Sequence, residues 1–172
     1  MAAALDGASS EAERESLRRD LEWELIASLE SAPPAPLPGV RQVLDHLPAD
    51  LPLAVASNGP REFVNRSLAA AGLGDAFHSV VGAEDVAAEK PSPDVYLEAC
   101  RRLGAEPRQS VALEDSAAGV AAARRAGMSV VAVSRAPNAG SSADLVVLSL
   151  AARELLAFIR TGLHQTDHAP LD

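Results

Sequence analysis

Two rhythms of apolar residues run along this chain and divide it into elements. Between about residues 10 and 31, Leu17, Leu21, Leu25, Ile26 and Leu29 recur three or four apart with charged residues between them, the spacing of an amphipathic helix. Ser10 and Glu13 form a capping box at its start, and Glu11, Glu13 and Glu15 fall where the helix dipole favours negative charge. Four prolines in the seven residues from Ala32 to Pro38 then stop the helix and make a stiff linker. Beyond that linker, short apolar runs alternate with helical periods. Helices are predicted over residues 39–47, 60–71, 93–103 and 117–126, and a last one runs to about Thr161. Gly72, Gly104 and Gly127 close three of them. Strands are predicted over residues 51–56, 79–81, 110–113, 129–133 and 145–148. Strands alternating with helices imply an α/β fold with a mostly parallel sheet covered on both faces. The polar segment from Gly162 reads as a loose tail.

Composition narrows this picture. A chain of 172 residues suits one main domain with a small appendage. Apolar residues make up 48% of it and aromatics only 3%, so the core is built from Ala, Val and Leu. A net charge of -9 argues against nucleic acid or an anionic membrane as partner. The one cysteine, Cys100, excludes an internal disulfide framework. It shares a helical face with Val95, Tyr96, Ala99 and Leu103, which predicts a buried thiol. No apolar run reaches the roughly 20 residues that span a bilayer. Residues 1–7 carry no basic region of the kind that opens a signal peptide, so a cytoplasmic location is expected.

Candidate chemistry gathers at the ends of the strands. In a parallel sheet, ligands bind beyond the carboxyl ends. Ser57 and Asn58 follow one predicted strand and Glu114 and Asp115 follow another, so both pairs emerge on the same edge. Ser57 and Asn58 offer a hydroxyl, an amide and turn N–H groups that can hold a phosphoryl oxygen. Read alone, Ser57-Asn58-Gly59-Pro60 is equally good turn and helix-entry chemistry. Two adjacent acids after an apolar strand need neutralising, and Mg²⁺ does so with one or two carboxylates plus water and phosphate. Alternatively, one of the acids caps the next helix.

Lys90 is the chain's single lysine among 14 arginines, and it sits in Glu89-Lys90-Pro91-Ser92-Pro93-Asp94. Pro91 disfavours helix at Lys90, while Ser92 reads as an N-cap and Pro93 as the first helical residue. The lysine is thus launched from a stiff loop as a compact point charge able to neutralise phosphate oxygens. His164 and His168 are four apart but lie in the polar tail, where solvation is the expected reading. Trp23 is expected to pack at a helix surface or an interface. A nucleophile elbow, a P-loop, a dinucleotide fingerprint and a Cys-x-x-Cys pair are all absent from the sequence.

Taken in order and spacing, these segments resemble the haloacid dehalogenase-like hydrolases, in the branch with a helical cap near the N-terminus. Val55-Ala56-Ser57-Asn58-Gly59-Pro60 resembles the second motif, Lys90-Pro91-Ser92-Pro93-Asp94 the third, and Leu113-Glu114-Asp115-Ser116 the fourth. The resemblance implies a Rossmann-like core in which Ser57 and Asn58 bind phosphate and Lys90 contacts phosphate and the nucleophile. Glu114 and Asp115 would hold Mg²⁺. It also implies a phosphatase acting on a small phosphorylated metabolite, plausibly a sugar phosphate, through an aspartyl-phosphate. A phosphosugar mutase is the alternative within the family. A dehalogenase needs no divalent metal, and the Glu114-Asp115 pair argues against it. The family's first motif, Asp-x-Asp-x-Thr, follows the first, central strand, and the nearest candidate here is Asp6 in Ala4-Leu5-Asp6-Gly7-Ala8. No apolar strand precedes Asp6, so the expectation is a chain that begins inside the cap, without the first strand or the nucleophile. On that reading residues 1–36 are a cap remnant with its linker, 37–161 the α/β core and 162–172 the tail. A sheet without its central strand would expose two inner edges, and an inactive, association-prone chain is expected. A non-catalytic relic or binding module that keeps the phosphate and metal residues is the rival reading.

Overall fold

The computed structural model of the protein describes residues 10–134 and 142–164. Asp6, His168 and the tail beyond residue 164 lie outside the described residues. Helix α1 spans Glu11–Ser31 and opens with both bonds of the capping box. The Ser10 N–H donates to Glu13 Oε2 at 2.9 Å and the Glu13 N–H donates to Ser10 Oγ at 3.2 Å. The proline-rich segment follows, then α2 (Val40–His46), β1 (Ala54–Ala56), α3 (Arg61–Ala70) and β2 (Ser79–Val81). After these come α4 (Asp94–Leu103), β3 (Val111–Glu114), α5 (Ala117–Arg125), β4 (Ser129–Val133), β5 (Leu145–Val147) and α6 (Arg153–His164). Helix α1 packs against α3, and Trp23 on α1 is 73% exposed. Among the described residues no helix is long and apolar enough to cross a membrane.

All strand pairs are parallel. The period-two alternation of each strand sorts its side chains between two cores. Ala54, Ala56, Ala112, Val130 and Ala132 face a core shared with Val95, Tyr96, Ala99 and Cys100 of α4 and Val120 and Ala123 of α5. Val111, Val131 and Val147 face the other way, against Val43 of α2 and Leu155 and Ile159 of α6. Helices therefore cover both faces, as the alternation of elements implied, and Cys100 is buried as expected.

The sheet is divided. β1 pairs with β2, β3 with β4 and β4 with β5, and among the described residues no strand joins β1 to β3. The core on the α4–α5 face runs unbroken beneath both parts. The Ser57 N–H donates to Val81 O at 3.0 Å and Leu53 O accepts from the His78 N–H at 2.8 Å, so the odd residues bond toward β2. In a parallel ladder Ala54 and Ala56 then turn their main-chain groups to the open edge. On β3, Ser110 O accepts from the Ser129 N–H at 3.1 Å, which leaves the main-chain groups of Val111 and Leu113 on its open edge. Among the described residues, β1 and β3 thus each keep one open edge.

Three local expectations need correction. The first strand begins at Ala54 rather than at residue 51. Pro52 has no N–H to give a ladder, and the Leu53 N–H donates to the His78 ring at 3.2 Å. Helix α4 begins one residue late, with Pro93 as its cap, because the Ser92 hydroxyl donates to Asp94 Oδ1 at 2.7 Å instead of capping. Helix α6 runs through His164, past the expected end at Thr161.

Candidate functional site

Because every strand is parallel, the segments leaving β1, β2 and β3 meet at one edge of the sheet. Lys90, in the loop between β2 and α4, is the hub. Its Nζ donates to Ala56 O at 3.0 Å and forms an ion pair with Glu114 Oε1. Its side chain is only 11% exposed. An ammonium has three donors, so one N–H remains to point at an anion. Beneath it, the Tyr96 ring lies 4.9 Å from Nζ, where a desolvated cation–π contact adds to the grip.

Glu114 is buried, the one charged side chain in the core among the described residues. Lys90 and the Tyr96 hydroxyl both donate to Oε1, and the Ser116 hydroxyl donates to Oε2 at 3.3 Å. A buried carboxylate held by only one of these groups would be costly, and the three together make its burial tolerable. Burial pushes the Tyr96 phenol well above its ordinary value, and the negative charge of Glu114 and then of Asp115 adds to the shift. Gly119 on the first turn of α5 lets the Glu114 carboxylate sit against the helix, where any Cβ would overlap it. Neither acid caps α5. That task falls to Ser116, whose Oγ accepts from the Gly119 N–H at 3.0 Å.

Asp115 stands beside Glu114 but is exposed. Ser57 Oγ accepts from the Gly59 N–H at 2.9 Å, an arrangement that leaves the hydroxyl hydrogen able to donate to an anion. The Asn58 side chain bonds to the main chain of Lys90. Its Oδ1 accepts from the Lys90 N–H at 2.9 Å and its Nδ2 donates to Lys90 O at 3.3 Å. Arg125 donates to Pro91 O at 2.6 Å, steadying the same loop from α5.

The structure thus brings Asn58 and Glu114 each into contact with Lys90, with Ser57 and Asp115 adjacent in the chain to bonded members. Among the described residues no group of three or more His, Cys, Asp or Glu side chains is placed to hold a metal. The donor chemistry still suits Mg²⁺, which takes one or two carboxylates and completes its shell with water and phosphate. Tyr96 and Gly119 were missed as site residues. The available signal for Tyr96 was that it is the chain's only tyrosine, six residues beyond the only lysine.

A family model described as haloacid dehalogenase-like hydrolase matches residues 2–127. The chain belongs to that family. Within the family it is 43% identical over 99 residues to the protein CbbY of Rhodobacter capsulatus, covering 55% of this chain and 44% of that one. It is 38% identical over 119 residues to the bifunctional riboflavin kinase/FMN phosphatase of Arabidopsis thaliana, covering 66% of this chain and 31% of that one. This haloacid dehalogenase-like chain therefore spans less than half the length of these curated relatives. Among solved structures, CbbY from Rhodobacter sphaeroides, determined in complex with xylulose-1,5-bisphosphate, superposes with a TM-score of 0.75 at 28% identity. That likeness covers 84% of this chain and 67% of that one.

Proposed function

We propose that this chain carries the phosphate-holding half of a phosphatase acting on small phosphate esters, plausibly sugar phosphates. The observation that carries the reading is the Lys90 amine, fixed at the carboxyl edge with two contacts made and a third donor open. A phosphoryl group arriving there meets that amine and the Ser57 hydroxyl. Both are placed before the reaction starts, so charge developing on the phosphoryl oxygens is met without reorganisation. Relatives support the substrate class, since CbbY was solved with a sugar bisphosphate and the Arabidopsis protein is named an FMN phosphatase.

Asp115, with Glu114 beside it, would hold Mg²⁺, whose chemistry is neutralisation of phosphate charge. Glu114 reaches that role only through the hub that already binds it to Lys90 and Tyr96. The family resemblance supplies an aspartate that attacks phosphorus, and this sequence contains no Asp-x-Asp. We therefore expect the 172-residue chain to have negligible phosphatase activity by itself. The test is hydrolysis of p-nitrophenyl phosphate with Mg²⁺, run beside a version extended upstream in its reading frame. Activity confined to the extended version supports the proposal, and robust turnover by the present chain overturns the expectation of inactivity. An extended version that is inactive and has no Asp-x-Asp favours the binding-module reading.

A further inference from the structure

We infer that Asn58 is a positioning residue for Lys90 rather than a phosphate ligand. The inference rests on the reading of Lys90 as the anion-binding amine. Two hydrogen bonds join one side chain to both main-chain groups of one residue 32 positions away: 2.9 Å to the Lys90 N–H and 3.3 Å to its carbonyl. Such a pair fixes the loop's height and its rotation, because shifting or turning Lys90 breaks one bond or the other. Asn58 is anchored for this task, since the neighbouring Ser57 N–H is bonded to Val81 O at 3.0 Å in the sheet. The Lys90 stem then runs from a held main chain to a held head, its Nζ against Ala56 O, Glu114 and the Tyr96 ring. Without the amide clamp, the head contacts alone must order a four-carbon stem and its loop. Lysine stems carry large rotamer entropy, so the amine would sample other directions.

The single lysine makes this measurable without any turnover. Protein grown with lysine labelled at the ε-carbon gives one side-chain NMR signal, that of Lys90. In the native protein it lies away from the free-lysine position because the Tyr96 ring is beneath the amine, and it moves on titration with inorganic phosphate. In Asn58→Ala the signal should fall back toward the free-lysine position, and phosphate should bind about tenfold more weakly. Asn58→Asp keeps the acceptor for the shorter bond but turns an oxygen toward the Lys90 carbonyl, so its signal should lie between the native and free-lysine positions. If Asn58 merely stabilises its turn, Asn58→Ala lowers the melting temperature but leaves the Lys90 signal and the phosphate affinity native, and the inference falls. It also falls if Asn58→Asp moves the signal as far as free lysine, a comparison that stands even if Asn58→Ala does not fold. A native signal that ignores phosphate defeats the phosphate reading instead, while the variant signals still judge Asn58.

Discussion

Gly119→Ala should destabilise this protein, although glycine-to-alanine in a helix ordinarily does the reverse. Gly119 lies in the first turn of α5, and relief of its backbone entropy would by itself add about 1 kcal/mol. A Cβ there would overlap both oxygens and the carboxyl carbon of Glu114. Overlap with the end of a long side chain is cheap when that end can swing away. Glu114 cannot, because Lys90, Tyr96 and Ser116 hold its carboxylate in a buried place. The variant must strain the packing, at about 1–3 kcal/mol, or pull Glu114 from its ion pair, at about 3–5 kcal/mol. Set against the helix gain, a net loss of about 2 kcal/mol is expected. Urea unfolding followed by far-ultraviolet circular dichroism would show it as a midpoint lower by about 1 M, at slopes of about 1–3 kcal/mol/M. Repeating the change in a Glu114→Ala background removes the obstacle, and there Gly119→Ala should raise the midpoint. An unchanged or raised midpoint in the native background would refute the idea that Glu114 is pinned against α5.

Three further outcomes follow from the same cluster and its surroundings. Lys90→Met leaves Glu114 buried without its cation and should cost about 3–5 kcal/mol in the urea assay; adding Glu114→Gln should recover part of that loss, and no recovery would contradict the pairing. Glu98 is held at about 2, below its ordinary 4.5, chiefly by hydrogen bonds from Arg101 and Arg102. Asp85 also lies below its ordinary 3.8: burial opposes the shift, but the Gly82 N–H, Arg102 and Arg61 outweigh it. Both folded values are below the unfolded ones, so their stabilisation is complete above about pH 4.5 and drains as pH falls toward 2. Asp85→Asn with Glu98→Gln should flatten that acid limb, and an unaltered limb would count against it. Tyr96, the only tyrosine, has a raised value, so its folded form stays protonated through its ordinary 10 and its stabilising effect is lost only at more alkaline pH. Tyrosinate absorbance should appear together with loss of the circular dichroism signal, and a reversible rise near 10 in folded protein would be inconsistent with burial beside Glu114.

Local signals in the sequence carried well into the structure. The Ser10–Glu13 capping box formed, β2 and β4 span the residues expected, and Gly72, Gly104 and Gly127 take the positive φ angles of 65, 64 and 84° that close helices. Each of these is decided by neighbours a few residues apart. What was illegible depends on distant partners. Tyr96 reads as one more apolar position on α4 until Glu114, 18 residues on, comes within reach of its hydroxyl. Asn58 reads as turn chemistry until Lys90 arrives from 32 residues away. Gly119 lies inside a helical period, and its need for an absent side chain comes from a carboxylate on another element. The start of β1 was misjudged for the same reason, since the His78 ring takes the N–H that would have lengthened the strand.

Lys90 also does something that has no chemistry in it. Its amine rests on the Ala56 carbonyl of β1 and on Glu114 of β3, so it is a strut across the gap between the two parts of the sheet. Whatever draws on that amine loads the strut. Occupancy at the edge should therefore be written into how the two parts breathe against each other, readable in amide hydrogen exchange at the ends of β1 and β3. The most charged point of the edge is also its keystone.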